Sequence, residues 1–108
     1  AKTCWNIIKK KSYGLKLPSI FHCSNSGIAS WYDLAVAITQ ISTEMGLISN
    51  PSTIIPIKSN QFMTKAKRPS FSVLDCAESF LALSQDPIHW RTELEKLILD
   101  KSKRKKAG

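Results

Sequence analysis

Three basic residues crowd the segment TKAKRPSFSVLD, which covers residues 64–75. Lys65, Lys67 and Arg68 lie within four positions, and Pro69 follows directly. A guanidinium is a planar fork that can bind a phosphate through two hydrogen bonds. Pro69 favours an extended backbone at Arg68, which lowers the entropy cost of holding that side chain in one direction. These residue types suit an anion-binding site, and an arginine on an exposed turn fits the local sequence equally well.

Residues that could complete a catalytic cycle are not found in the sequence. His22 and His89 could act as acid or base. We expect instead a core position for His22, in a strand, and a surface position for His89, near a helix start. No Gly-x-Gly-x-x-Gly, P-loop, Gly-x-Ser-x-Gly or Tyr-x-x-x-Lys pattern occurs. We therefore predict no catalytic and no cofactor-binding residues in this chain.

The cysteines and the apolar runs indicate a cellular compartment. Cys4, Cys23 and Cys76 are far apart and form no Cys-x-x-Cys or Cys/His cluster. This pattern predicts no metal site, and reduced thiols of the kind found in cytoplasmic proteins. No apolar run approaches the length of a membrane span, and the N-terminal lysines follow the apolar residues, unlike those of a secretory signal. We predict a cytoplasmic protein with no membrane partner.

The net charge of +8 comes from two short runs. Lys9–Lys11 and residues 101–106 together carry eight positive charges, so the rest of the chain is close to neutral. Polybasic segments can neutralise nucleic-acid phosphates, but no aromatic residue interleaves with these lysines to stack on bases. We expect residues 101–108 to be a disordered, solubilising tail and favour this over nucleic-acid binding.

Four helices are predicted from local signals. Residues 2–11 form a helical pattern with lysines at the end, where cations are favourable. The sequence SWYD at residues 30–33 is a capping-box variant that starts an amphipathic helix reaching about Glu44. Asp75 suits the N-cap of a helix at residues 76–83, and a last helix starts near residue 89. We expect Trp31 to pack as an anchor, while the role of Tyr32 is left open.

Three short segments have the composition of strands. They are Ser19–Cys23, Thr53–Ile57 and Phe71–Leu74. Pro56 would confine the second to a sheet edge. Alternation of these segments with the helices predicts an α/β fold, with short strands and flanking helices.

Three stretches of the chain resemble the C-terminal portion of the dTDP-4-dehydrorhamnose reductases, which are extended short-chain reductases. The similar stretches are IFHCSNSGIASWYDLAVAI, IIPIKSNQFMTKAKRPSFSVLD and IHWRTELEKLIL. The second contains that family's Ala-x-Arg-Pro-x-x-Ser-x-Leu-Asp pattern in full. The resemblance extends over about residues 3–100.

The resemblance implies a small C-terminal substrate-binding lobe at residues 1–100, with the Rossmann domain missing. Members of that family use NADPH to reduce a dTDP-hexulose to dTDP-L-rhamnose for surface polysaccharides. Their cofactor loop and Tyr-x-x-x-Lys pair lie on the Rossmann domain. The resemblance therefore implies a chain that is inactive alone. Its partners would be a dTDP-sugar and the missing Rossmann domain or a separate partner chain.

The resemblance also implies roles for three residues. Arg68 corresponds to the motif arginine and would face the nucleotide-sugar pocket at its diphosphate, with Lys67 and Ser70 beside it. The chain departs from the family at Phe62–Lys65, where Tyr-Pro-x-Pro is usual. Two alternatives remain open: a non-enzymatic interaction module of the same fold family, and a small basic nucleic-acid-binding protein.

Overall fold

The computed structural model describes the backbone of residues 1–106 and the side chains of residues 1–104. Four α-helices occur in this part of the chain. They are α1 (Lys2–Ser12), α2 (Trp31–Glu44), α3 (Ala77–Leu83) and α4 (Trp90–Lys106). A 3₁₀ turn lies at Ser59–Gln61. The chain divides into two units, one made of residues 1–26 and 73–88, the other of residues 27–72 and the chain from His89 onward.

No β-strand is present in residues 1–106, so the predicted short strands of an α/β fold are wrong for this part of the chain. A strand requires a neighbour that pairs with its backbone N–H and C=O groups. Within Ser19–Cys23, the backbone N–H of His22 donates instead to the Ser79 hydroxyl at 2.9 Å. In Thr53–Ile57, Pro56 lacks an N–H to donate. Helices and irregular loops therefore make up the described chain.

In the first unit, α1 packs on α3. The amide of Asn6 donates to the carbonyl of Leu83 at 3.1 Å, and Leu83 is 1% exposed. The last turn of α1 carries the run Lys9–Lys11, which confirms the predicted helix and places cations at its carbonyl end. Leu83 is the one large apolar side chain that is fully buried among the described residues of this unit.

The start of α3 differs by one residue from the prediction. The N-cap is Cys76, while the Asp75 carboxylate accepts the backbone N–H of Ala77 at 3.0 Å. Asp75 therefore still satisfies a free donor of the first turn. Ser79 is buried and binds the backbone of His22, whose own imidazole is exposed. The prediction of a core position for His22 is wrong.

In the second unit, α2 begins with the predicted capping box. The Ser30 hydroxyl accepts the N–H of Asp33 at 3.1 Å. The Asp33 carboxylate accepts the N–H of Ser30 at 2.8 Å and its hydroxyl at 2.7 Å. The hydrogen bond from the Ser30 backbone, followed by that from its hydroxyl, lowers the pKa of Asp33. Two donors that the helix itself cannot satisfy are thus paired.

The packing of α2 against α4 forms the small core of this unit. Ala37 and Ile41 are 0% and 2% exposed. At the edge of this contact, the guanidinium of Arg91 donates to the side-chain oxygen of Gln40 at 3.0 Å. Trp31 is 80% exposed, so its predicted role as a packing anchor is wrong within the described residues.

The turn before α2 depends on Gly27. This residue has a φ of +86°, in the left-handed region. A Cβ on Gly27 would collide with the His89 ring and lie 2.9 Å from Cδ1 of Trp90. The same imidazole accepts the backbone N–H of Arg91 through Nδ1 at 3.3 Å. Gly27 thus brings the turn close to the first residues of α4.

The C-terminal basic run is helical as far as the structure describes it. The sequence predicted a disordered tail from residue 101, whereas α4 continues to Lys106. Lysine and arginine are good helix formers, and positive charge at the carbonyl end of a helix is favourable. Residues 107 and 108 lie outside the described residues. None of the four described helices is both long and apolar enough to cross a membrane.

Candidate functional site

The basic segment at residues 64–75 follows the 3₁₀ turn and is irregular throughout. The turn is closed by the Lys58 N–H, which donates to the Gln61 side chain at 2.7 Å. Further on, the Thr64 hydroxyl donates to the carbonyl of Ala66 at 2.7 Å. Every residue from 55 to 75 is exposed. The segment is therefore shaped by contacts between close neighbours in sequence.

The three predicted site residues lie together in the middle of this segment. Arg68, Lys67 and Ser70 are all exposed. Among the described residues, no hydrogen bond or ion pair holds any of the three side chains in place. The structure thus brings them together as neighbours along the chain and adds no group from another element. Their donors are available to a ligand, since no acceptor among the described residues occupies them.

Apolar side chains flank the basic residues on both sides. Phe62 is 66% exposed, Met63 is 94% exposed and Phe71 is 72% exposed. Burying large apolar side chains is favourable by roughly 1.5–3 kcal/mol each. Covering these three side chains with a ligand or a partner would therefore be favourable.

A separate concave surface lies on α2. It is a shallow depression of about 430 Å³, lined by Thr39, Gln40, Thr43, Glu44 and Pro51. Its lining includes one carboxylate and no basic residue, so an anionic ligand would be repelled there. None of the predicted site residues lines it. The depression therefore does not include residues 64–75, the Arg68 segment.

The groups considered for catalysis and cofactor binding lie in several different loops and turns. His22 and His89 are exposed, and no group of three or more His, Cys, Asp or Glu side chains among the described residues could hold a metal ion. Gly14, Gly27 and Gly46 each lie alone, in separate turns. In a Rossmann fold a dinucleotide binds at clustered glycines before a helix, and these three glycines are far apart in sequence. That the chain holds no cofactor-binding residues stays a prediction.

One feature of the second unit was not found from the sequence. The contact of Gly27 with His89 and Trp90 joins residues about sixty positions apart. The polar run SNSG at residues 24–27 is typical of a turn that contains a glycine. Its neighbour in space could not be read from local patterns, because those patterns report only on residues nearby in sequence.

Comparison with known proteins identifies the family of the chain. A family model described as RmlD substrate binding domain matches residues 1–103. The spore coat polysaccharide biosynthesis protein SpsK of Bacillus subtilis (strain 168) is 36% identical over 88 residues, which cover 79% of this chain and 28% of SpsK. The dTDP-4-dehydrorhamnose reductase of Aggregatibacter actinomycetemcomitans is 30% identical over 78 residues, covering 72% of this chain and 26% of that reductase.

The chain spans about a quarter of the length of these curated relatives. No solved structure matches it. The family match covers nearly the whole sequence, including the segment that contains Arg68, Lys67 and Ser70. The chain belongs to the RmlD substrate binding domain family.

Proposed function

We propose that this chain is the nucleotide-sugar-binding portion of a dTDP-4-dehydrorhamnose reductase, with Arg68 binding the diphosphate of a dTDP-sugar. Lys67 supplies further positive charge, and Ser70 supplies a hydroxyl for the same ligand. The observation that carries the proposal is the match of the RmlD substrate binding domain over residues 1–103. A relative named dTDP-4-dehydrorhamnose reductase supports the same substrate class.

The chemistry of the segment agrees with such a ligand. A diphosphate carries charges that a guanidinium can meet with paired hydrogen bonds, and the side chain of Arg68 has no protein partner in the described residues. The exposed rings of Phe62 and Phe71 offer apolar surface to a base or sugar. The same segment contains no general acid or base in a defined geometry. The proposed role is therefore binding, without a chemical step.

The complete enzyme would also contain a Rossmann domain that binds NADPH. Three apolar side chains of the described residues are fully buried, namely Ala37, Ile41 and Leu83, while many large ones are exposed. So small a core leaves much apolar surface to be covered by another part of the same protein or by a separate chain. We expect no ketone reduction by this chain alone and a cytoplasmic location for the complete enzyme.

A binding titration tests the role of Arg68. Isothermal calorimetry would compare dTDP-L-rhamnose, dTDP and thymidine with the chain, alone and with a separately produced Rossmann portion of a relative. We expect binding of the two diphosphates and none of thymidine. Arg68→Ala should weaken diphosphate binding by roughly 1.5–3 kcal/mol, which is about 10- to 150-fold in Kd.

Arg104→Ala is the matched control, because it also removes one exposed arginine side chain, in this case from α4. It should leave diphosphate binding unchanged. Equal losses for both variants would show that net charge, rather than a site at Arg68, determines affinity. If no dTDP compound binds under either condition while a protein partner co-purifies with the chain, the interaction-module alternative replaces the proposal.

A further inference from the structure

The outer face of α1, formed by Trp5, Ile8, Lys9 and Lys11, is apolar in its middle and basic at its edges. Trp5 and Ile8 are 59% and 56% exposed. At about 100° per residue, Ile8 lies about 60° around the helix from Trp5, so these two side chains are neighbours. Lys11 lies about 60° beyond Ile8, and Lys9 lies about 40° beyond Trp5 on the other side.

The opposite side of α1 packs on α3. The partly buried residues of α1 are Thr3, Asn6, Ile7 and Lys10. They fall within an arc of about 100° that is opposite to the outer face. On this side Asn6 donates to the Leu83 carbonyl at 3.1 Å, and the Lys10 ammonium donates to the Ser84 hydroxyl at 3.5 Å. The outer face is the side of α1 that remains exposed in the part of the chain that the structure describes.

The lysines of the outer face have no acidic partner among the described residues. No aspartate or glutamate occurs before Asp33 in the sequence. Neither Lys9 nor Lys11 forms an ion pair with a described side chain. The Lys9 ammonium instead lies 5.9 Å from the centroid of the Trp5 ring, in a cation–π contact. Positive charge and apolar surface therefore lie side by side on this face.

The turn after α1 has the same mixture of residues. Tyr13 and Leu15 are exposed apolar side chains, and Lys16 beside them is exposed as well. The backbone N–H of Leu15 donates to the carbonyl of Lys10 at 3.2 Å, which holds the turn against the end of the helix.

This mixture distinguishes between possible anionic partners. A nucleic-acid backbone would bind the lysines and offer no apolar surface to Trp5 and Ile8. A protein groove binds an amphipathic helix through apolar residues at positions i, i+3, i+4 and i+7. Counted from Trp5, positions i+4 and i+7 are Lys9 and Ser12, so this pattern is not met. An anionic bilayer needs one free face, with apolar side chains at its centre and lysines for the lipid phosphates.

We propose that the outer face of α1 binds the surface of an anionic phospholipid membrane. Trp5 and Ile8 enter the boundary between headgroups and acyl chains, where a tryptophan ring is favourable. Lys9 and Lys11 extend along this boundary and place their ammonium groups at the lipid phosphates. The prediction of no membrane partner considered spanning segments and secretory signals, and a helix that lies in the interface needs neither. The proposal is independent of the sugar-nucleotide site at Arg68.

Co-sedimentation with vesicles tests the proposal. Vesicles of phosphatidylcholine alone would be compared with vesicles in which about a third of the lipid is phosphatidylglycerol. Lys9→Gln with Lys11→Gln should weaken binding to the anionic vesicles about 25-fold, since each lysine near such a surface contributes about fivefold. Trp5→Gln with Ile8→Gln should weaken it at least about tenfold, because two apolar side chains are no longer buried.

Two double variants elsewhere in the chain serve as matched controls. Lys103→Gln with Arg104→Gln removes the same charge from α4. Ile55→Gln with Ile57→Gln removes two apolar side chains that are 72% and 58% exposed. Both should leave vesicle binding close to that of the parent chain. Losses equal to those of the α1 variants would overturn the proposal in favour of net charge or of general apolar exposure.

Three other outcomes would also overturn the proposal. The first is an absence of sedimentation with anionic vesicles. The second is tighter binding to a DNA duplex than to these vesicles, with the duplex binding lost in the lysine variant. The third is loss of vesicle binding when a separately produced Rossmann portion of a relative is added, which would assign the outer face to a contact between the two portions.

Quenching of tryptophan fluorescence by brominated phospholipid gives a second test if circular dichroism shows that the glutamine variants lose helix content. Trp5→Phe keeps an aromatic side chain in α1 and removes the fluorophore proposed to enter the membrane. Quenching should be strong in the parent chain and largely absent in this variant. Equal quenching in both would show that Trp31 or Trp90 enters the membrane instead, and the assignment to α1 would fail.

Discussion

The start of α2 and residues 64–72 of the Arg68 segment belong to the same unit and are organised in opposite ways. At the start of α2, Ser30 and Asp33 exchange three hydrogen bonds between 2.7 and 3.1 Å. In the Arg68 segment, every residue is exposed and no described contact holds the guanidinium. The geometry of the first region is fixed by hydrogen bonds between residues close in sequence. In the second, the donors have no partner among the described residues, as the proposed binding of a ligand would require.

The largest expected effect in the ordered region comes from Gly27→Ala. An alanine in the left-handed region costs about 1–2 kcal/mol. Movement of the His89 ring away from the new Cβ should cost about 1 kcal/mol more, because the bond from the Arg91 N–H to Nδ1 is lost. Urea unfolding followed by circular dichroism would measure the free energy of unfolding.

Gly46→Ala is the control for this prediction. Gly46 also has a positive φ, of +66°, but no atom lies within 4 Å of the position its Cβ would take. We expect Gly46→Ala to show the backbone strain alone. Equal destabilisation by both variants would mean that the close approach of Gly27 to His89 and Trp90 contributes nothing to the free energy of unfolding.

Removing the cap of α2 is the next largest change. Ser30→Ala eliminates the hydroxyl that accepts the N–H of Asp33, and such substitutions typically cost about 1 kcal/mol. The free energy of unfolding should fall by that amount, whereas Ser30→Asp should retain most of it because a carboxylate can also cap. A Ser30→Ala variant as stable as the parent chain would show that the capping box is dispensable.

The features predicted correctly from the sequence depend on local interactions, and those predicted wrongly depend on non-local ones. The helices and the capping box were predicted because their signals lie within a few residues of one another. The predicted strands are absent because Ser19–Cys23 and Thr53–Ile57 have no neighbouring strand to pair with in residues 1–106. Trp31 was expected to pack and is exposed, because a local pattern shows that a side chain is apolar and not whether a surface exists to cover it.

The sequence indicates a position for the candidate site and does not indicate its geometry. Basic residues before a proline indicated Arg68, and the family match covers that segment. No sequence rule fixes the direction of the Arg68 guanidinium, which has no partner among the residues that the structure describes. The roles of Arg68, Lys67 and Ser70 therefore stay predictions that the binding titration tests.

A smaller effect is expected from acidification. Hydrogen bonds from Ser30 lower the pKa of Asp33, so the unfolded chain binds this proton more tightly than the folded chain. The stabilisation is present above the ordinary aspartate pKa of about 3.9 and is lost as the pH falls through the lower folded value. Unfolding of the parent chain and of Asp33→Asn, measured from pH 6 to pH 2.5, should show a weaker acid dependence in the variant. Parallel curves would contradict this.

The smallest expected effect on stability is that of Arg68→Ala, and this variant separates a role in ligand binding from a role in the fold. Because no described contact holds Arg68, its removal should change the free energy of unfolding by less than about 0.5 kcal/mol. The same variant should weaken diphosphate binding by roughly tenfold or more. Ser30→Ala should show the reverse, with lower stability and unchanged affinity. Loss of stability in Arg68→Ala would mean that this side chain supports the fold, and its assignment to a ligand would then fail.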